Sequence, residues 1–150
     1  MLAMADPMTL RFDAAQLGDL AAIRGFVRDA SHSLGASREV ADDLVIALDE
    51  AATNAIRHGY KGRPGPLRID VFSEGSAVIV RLVDQAPIFD PTGHPKPDLD
   101  APLERRPFGG MGIHLMRVSV DRVVHRSVGH SGNDLTFIKE LASLERKANA

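Results

Sequence analysis

The chain has 150 residues and no cysteine, which removes disulfides, thiolate metal sites and cysteine nucleophiles together. A hydrophobic share of 44%, a charged share of 25% and a net charge of -2 describe one domain able to build a core, with no bulk attraction to nucleic acid or an acidic membrane. No stretch approaches the roughly 18 apolar residues of a membrane helix, and MLAMADPM lacks the basic start and long apolar run of a signal peptide.

We therefore expect a single cytoplasmic domain over 1–150, its core about 9–142, with no direct nucleic-acid or membrane partner. TLRFDA (9–14) alternates as a strand does. Leu17, Leu20, Ile23, Val27, Ala30 and Leu34 then recur at helical spacing, and Gly35 ends that helix. Ser37 is a suitable N-cap for a second helix that runs to about His58. KGRPGP breaks the chain. LRIDVF (67–72) and AVIVRLVD (77–84) follow as strands of a hairpin turning at SEGS, the second apolar on both faces and hence central in a sheet. Residues 85–108 are rich in proline and lack hydrophobic periodicity, the mark of a functional or disordered loop. FGGMGIHLMRVSV opens a short helix with glycines. RVVHRSV (122–128) and DLTFIKELA (134–142) close the fold around a GHSG turn, and the tail LERKANA reads as frayed helix. The order β-α-α-β-β-loop-α-β-β predicts an α+β sandwich, a mixed and mainly antiparallel sheet with helices on one face.

Three places carry chemistry. In DLVIALDEAATNAIRHGY (43–60), about 100° per residue puts Asp43, Glu50, Asn54 and Arg57 on one stripe, with Leu44, Leu48, Ala51 and Ala55 on the other side. The Asn54 amide oxygen suits a hard cation such as Mg²⁺, and the Glu50 carboxylate suits orienting or deprotonating a hydroxyl or water. Asp84 ends the central strand, where a carboxylate can either cap a turn or accept a hydrogen bond from a base amino group. Gly109, Gly110 and Gly112 open a helix, and backbone amides there can receive phosphate or act as a hinge. The segment is neither a P-loop nor a dinucleotide fingerprint, because no Lys-Ser/Thr pair follows and no strand leads directly into it. The six histidines show no metal spacing.

These pieces stand in an order that resembles the GHKL ATPase superfamily, with its Bergerat-type two-layer ATP-binding fold. Within it the chain is most similar to the anti-sigma factor serine kinases. DLVIALDEAATNAIRHGY resembles their N box, VRLVDQAPIFDP their first glycine box, GGMGIHLM their second and NDLTFIKEL their final strand. The resemblance implies ATP and Mg²⁺ as cofactors. It implies Glu50 as base or orienter, Asn54 as Mg²⁺ ligand and Asp84 as acceptor of the adenine amino group. Ala86 and Ile88 stand in the first glycine box; Gly109, Gly110, Met111, Gly112 and Ile113 stand in the second, with Gly110, Met111 and Gly112 cradling phosphates. Thr136 supports adenine from the sheet, and 92–108 forms an ATP lid in which Arg105 and Arg106 meet phosphate. The implied partners are a STAS-type anti-anti-sigma protein carrying the acceptor serine, a sigma factor held inactive, and a second copy in a homodimer.

The chain departs from the family's Asp-x-Gly-x-Gly pattern, with Ala86 and Ile88 in place of the two glycines. A nucleotide-binding anti-sigma module without turnover is the alternative that this departure favours, and Glu50 argues against it. The catalytic domain of a sensor histidine kinase would show asparagine where Glu50 stands and needs a helical dimerisation domain. A gyrase- or chaperone-type hydrolase needs transducer domains.

Overall fold

A computed structural model describes residues 6–93, 95, 100 and 110–141. Five strands, β1 (Met8–Ala15), β2 (Gly65–Glu74), β3 (Ala77–Asp84), β4 (Arg122–Ser127) and β5 (Asn133–Glu140), form one sheet in the order β1-β2-β3-β5-β4. The helices are α1 (Leu20–Ser33), α2 (Arg38–Asn54) and α3 (Gly110–Ser119). The expected α+β sandwich is present, and each of the four strand ladders is antiparallel. The strand that is apolar on both faces, β3, takes the centre.

One face of the sheet carries Ile69, Val71, Val78, Val80, Leu82, Leu135 and Phe137, and these pack on Ile23 and Val27 of α1 and Val40, Leu44, Leu48 and Ala51 of α2. Each large aliphatic side chain removed from water stabilises by about 1.5–3 kcal/mol, so this layer supplies the main driving force. The opposite face is mixed, with Phe72 and Ile79 buried beside charged pairs. Arg68 pairs with Asp70 at 3.2 Å and Arg81 with Asp134 at 3.5 Å. The Arg81 guanidinium also lies 5.5 Å from the centre of the Phe72 ring.

Local rules set the helix ends. Ser37 caps α2 as expected, its hydroxyl accepting the Val40 amide at 3.2 Å. The first helix begins later than its apolar spacing suggests, because Leu17–Asp19 is a 3₁₀ turn and Leu17 is exposed. The second helix also changes pitch. After Asn54 the chain continues as a π-turn, Ala55–Gly59, a form of local widening common at functional sites.

Two features were outside the sequence expectations. Lys139 of β5 is only 1% exposed. Its Nζ lies 3.1 Å from the Asp43 carboxylate of α2 and donates to the Ser119 carbonyl of α3 at 3.0 Å, tying three elements together. Tyr60 follows the π-turn and donates to the Pro66 carbonyl at 2.6 Å while accepting the Gln85 amide at 2.8 Å. That phenol fastens the end of α2 to the start of β2 and the end of β3. Among the described residues no helix is long and apolar enough to cross a membrane.

Candidate functional site

A cavity of about 370 Å³ opens where the end of α2, the end of β3, the start of β5 and the face of α3 meet. Asn54, His58 and Gly59 line it from α2 and its π-turn; Leu82 and Asp84 line it from β3. Ala86, Ile88 and Phe89 follow along the chain, Ile113 and Met116 face it from α3, and His125, Asn133 and Leu135 complete it from the sheet. Apolar walls with a few convergent polar groups are the usual make-up of a small-molecule site.

Asp84 is the buried acid of the cavity. Its Oδ1 accepts the Ala86 amide at 3.0 Å and the Asn133 Nδ2 at 2.9 Å, while Oδ2 makes neither bond. Burial pushes its carboxyl above the ordinary range, and these hydrogen bonds oppose the shift. Asn133 is bonded on every side. Its Nδ2 also donates to the Pro87 carbonyl at 3.1 Å, and its Oδ1 accepts the Phe89 amide at 2.9 Å and stands 2.7 Å from His125 Nε2. The turn after β3 is thereby fixed by one side chain.

The missing glycines of this turn have a structural explanation. Among the described non-glycine residues only Lys61 has positive φ, so Ala86 and Ile88 adopt backbone that any residue takes. Ala86 is buried, and a methyl group placed on Gly59 would fall 2.6 Å from its Cβ. The Ala86 methyl thus occupies room that Gly59 leaves on the π-turn.

Beside the cavity, Glu50 stands against Gly112 of α3. A Cβ at Gly112 would come within 2.5 Å of Glu50 Oε2, so glycine at that point of α3 is what lets the carboxylate reach the helix. Burial, and then the neighbouring charge of Asp49, push the Glu50 carboxyl up from its ordinary range. Such a shift brings a carboxylate closer to the pH at which it can exchange a proton. Asn54 lies one turn further and lines the cavity itself.

The sequence-predicted residues divide accordingly. Asn54, Asp84, Ala86, Ile88 and Ile113 line the cavity, and Glu50 and Gly112 meet beside it. Gly110 and Met111 open α3, with the Met111 side chain exposed. Gly109, Arg105 and Arg106 lie outside the described residues, as does most of the 92–108 segment. Thr136 requires correction. It pairs across the ladder with Arg81, on the face away from the helices, and its hydroxyl donates to Asp134 at 3.3 Å. The β5 side chains that reach the cavity are Asn133 and Leu135, and His125 joins them from β4. The signal for Asn133 was present: Leu135 and Phe137 mark the odd positions of β5 as inward, and Asn133 shares that parity.

The residues fit a purine nucleotide. A buried carboxylate stands among apolar walls that suit a flat base. The Asn54 amide oxygen, which a hard cation would accept, lines the same cavity.

Comparison with known proteins agrees with this geometry. A model of the histidine kinase-like ATPase domain matches residues 14–139. The serine-protein kinase RsbW of Bacillus subtilis is 31% identical over 127 residues, covering 79% of this chain and 76% of the relative. The RsbW of Listeria monocytogenes is 30% identical over 132 residues, covering 82% and 81%. An anti-sigma F factor of Clostridium acetobutylicum is 26% identical over 126 residues, covering 79% and 83%. Among solved structures, the RsbU and RsbW domains of Rv1364c from Mycobacterium tuberculosis superpose with a TM-score of 0.62 at 18% identity, over 89% of this chain and 32% of that one. That likeness concerns the fold.

Proposed function

The chain belongs to the histidine kinase-like ATPase domain family, and from that premise we propose that it is an ATP-dependent serine-protein kinase that also acts as an anti-sigma factor. The relatives named serine-protein kinase and anti-sigma factor support both halves of this reading. The single observation that carries the ATP half is the cavity between α2 and the end of β3, with the buried Asp84 carboxylate inside it.

Each residue then has a task. Asp84, its Oδ1 already bonded, accepts the adenine amino group on Oδ2. Ile113, Met116 and Leu82 flank the base and exclude water. Asn54 holds Mg²⁺, and the backbone at Gly110–Gly112 receives phosphate. Bound ATP with Mg²⁺ would supply the phosphoryl group and neutralise charge as it moves. Glu50 orients the acceptor serine hydroxyl and takes its proton; its carboxyl, raised by burial, loses that capacity once protonated as the pH falls. Catalysis is then mostly positioning, as in other phosphoryl transfers. The acceptor serine belongs to a STAS-type anti-anti-sigma partner, which competes with a sigma factor for a homodimer of this chain in the cytoplasm.

The test is transfer of labelled phosphate from ATP to such a partner. Transfer that depends on Glu50 supports the kinase. Nucleotide binding and sigma-factor binding without any transfer would instead favour the non-catalytic module.

A further inference from the structure

His125 has surroundings that give it a part of its own. Its side chain is 7% exposed and lines the cavity. The Asn133 amide beside it can stand only one way round, because its Nδ2 faces the Pro87 carbonyl and its Oδ1 faces the Phe89 amide. An acceptor therefore lies 2.7 Å from His125 Nε2, and Nε2 must carry a proton. Only Nδ1 is left to change state, and it lies 3.9 Å from Asp90 Oδ2. With Nδ1 bare, a lone pair faces a carboxylate. With Nδ1 protonated, opposite charges face each other. Asp90 stays ionised across neutral pH, since first the Thr92 hydroxyl, and in smaller part His125, hold its carboxyl below the ordinary range.

Among the described residues, the titratable groups that share its cavity are Asp84 at the end of β3 and His58 on the π-turn. Arg122 and Arg126 of β4 are of the other strand parity and lie on the opposite face. The segment that would feel the change is Pro87–Asp90. It carries the exposed apolar residues Ile88 and Phe89 along the cavity, and Asn133 already holds it at the Phe89 amide.

We propose that His125 is a positioning residue for the nucleotide pocket: doubly protonated, it grips Asp90 with one nitrogen and Asn133 with the other, stapling Pro87–Asp90 down against a bound base. This rests on reading the cavity as the nucleotide site. It couples nucleotide affinity to a proton on His125 Nδ1, through the Pro87–Asp90 segment.

The test measures ATP-Mg²⁺ affinity of the full chain by calorimetry from about pH 8 to about pH 6, the range where histidine changes charge. Wild type should tighten by about threefold relative to His125→Gln, the scale of an ion pair with one half-exposed partner. Glutamine keeps an N–H for Asn133 but does not titrate, and the nucleotide's own phosphate titration is common to both proteins. Asp90→Asn should flatten the same difference while keeping an oxygen to cap Thr92, so the test does not rest on one variant's folding. Equal pH dependence in wild type and His125→Gln, or an unchanged dependence in Asp90→Asn, would overturn the staple. A wild type that binds no nucleotide at either pH overturns the nucleotide reading itself, and this inference with it.

Discussion

The end of β3 and the meeting of Glu50 with α3 are made by different means. At the end of β3, hydrogen bonds do the positioning: Asn133 alone connects Asp84, Pro87, Phe89 and His125, and Tyr60 clamps the neighbouring backbone. At Glu50, room does it: Gly112 lacks the side chain that would collide with the carboxylate. A bonded region is assembled before any ligand arrives and is part of what holds the fold together. A region made by omission adds little to folding and leaves its carboxylate free to act.

The contrast separates the effects of mutation. The largest expected effect is at Glu50. Glu50→Gln keeps shape and hydrogen bonding but removes the base, and transfer should fall roughly 10²- to 10⁴-fold with ATP affinity and melting temperature nearly unchanged. A single-turnover assay beside calorimetry checks this, and wild-type rates in the variant would leave Glu50 as a solvated helix residue.

Next comes the end of β3, where stability should respond. Asn133→Leu strands several buried partners at once and should cost about 3 kcal/mol, at the upper end for unsatisfied buried polar groups. Gly112→Ala, by contrast, should slow transfer while costing little stability, because alanine's helix preference of about 1 kcal/mol opposes the crowding of Glu50. Denaturant midpoints compare the two. If both substitutions cost the fold equally, the distinction between the two regions is lost.

Ligand-induced stabilisation sharpens the comparison. ATP with Mg²⁺ at a hundred times its dissociation constant should stabilise wild type by about 2.7 kcal/mol. Asp84→Asn should remove most of that gain, because its amide presents a donor to the adenine amino group. A thermal shift retained in full would move the base away from Asp84.

The smallest effect concerns Asp84 without ligand. Its folded carboxyl is raised by burial, so the folded state prefers it protonated. The stability it contributes is present at low pH and lost as the pH rises through the folded value. Ligand-free Asp84→Asn should therefore match wild type in acid and exceed it slightly at neutral pH. A variant less stable at neutral pH would show that the ionised carboxylate is a net stabiliser.

Much of this was legible in the chain. Apolar spacing placed α1, α2 and β3, Ser37 marked a cap, and the order of motifs located Asn54 and Asp84. What was missed follows from physics that spacing does not carry. Changes of helical pitch, at Leu17–Asp19 and at Ala55–Gly59, leave the apolar period nearly intact. Thr136 and Asn133 differ in strand parity, and a change of parity exchanges the two faces of the sheet. Asp43 reads as a polar position on a helix stripe, and only tertiary contact turns it toward Lys139. His125 has no local signature, because its partners, Asp90 and Asn133, come from two other segments of the chain.

Tyr60 has a spectroscopic consequence. It is the sole tyrosine in a chain without tryptophan, so the protein's intrinsic ultraviolet emission arises almost entirely from one ring. That ring packs against Gly65, and its hydroxyl bridges Pro66 and Gln85, directly beside Asp84. Emission from such a phenol reports on the strength of the bonds its hydroxyl makes. The wild-type protein thus carries a built-in optical probe at the junction of helix and sheet, readable by stopped flow without any label.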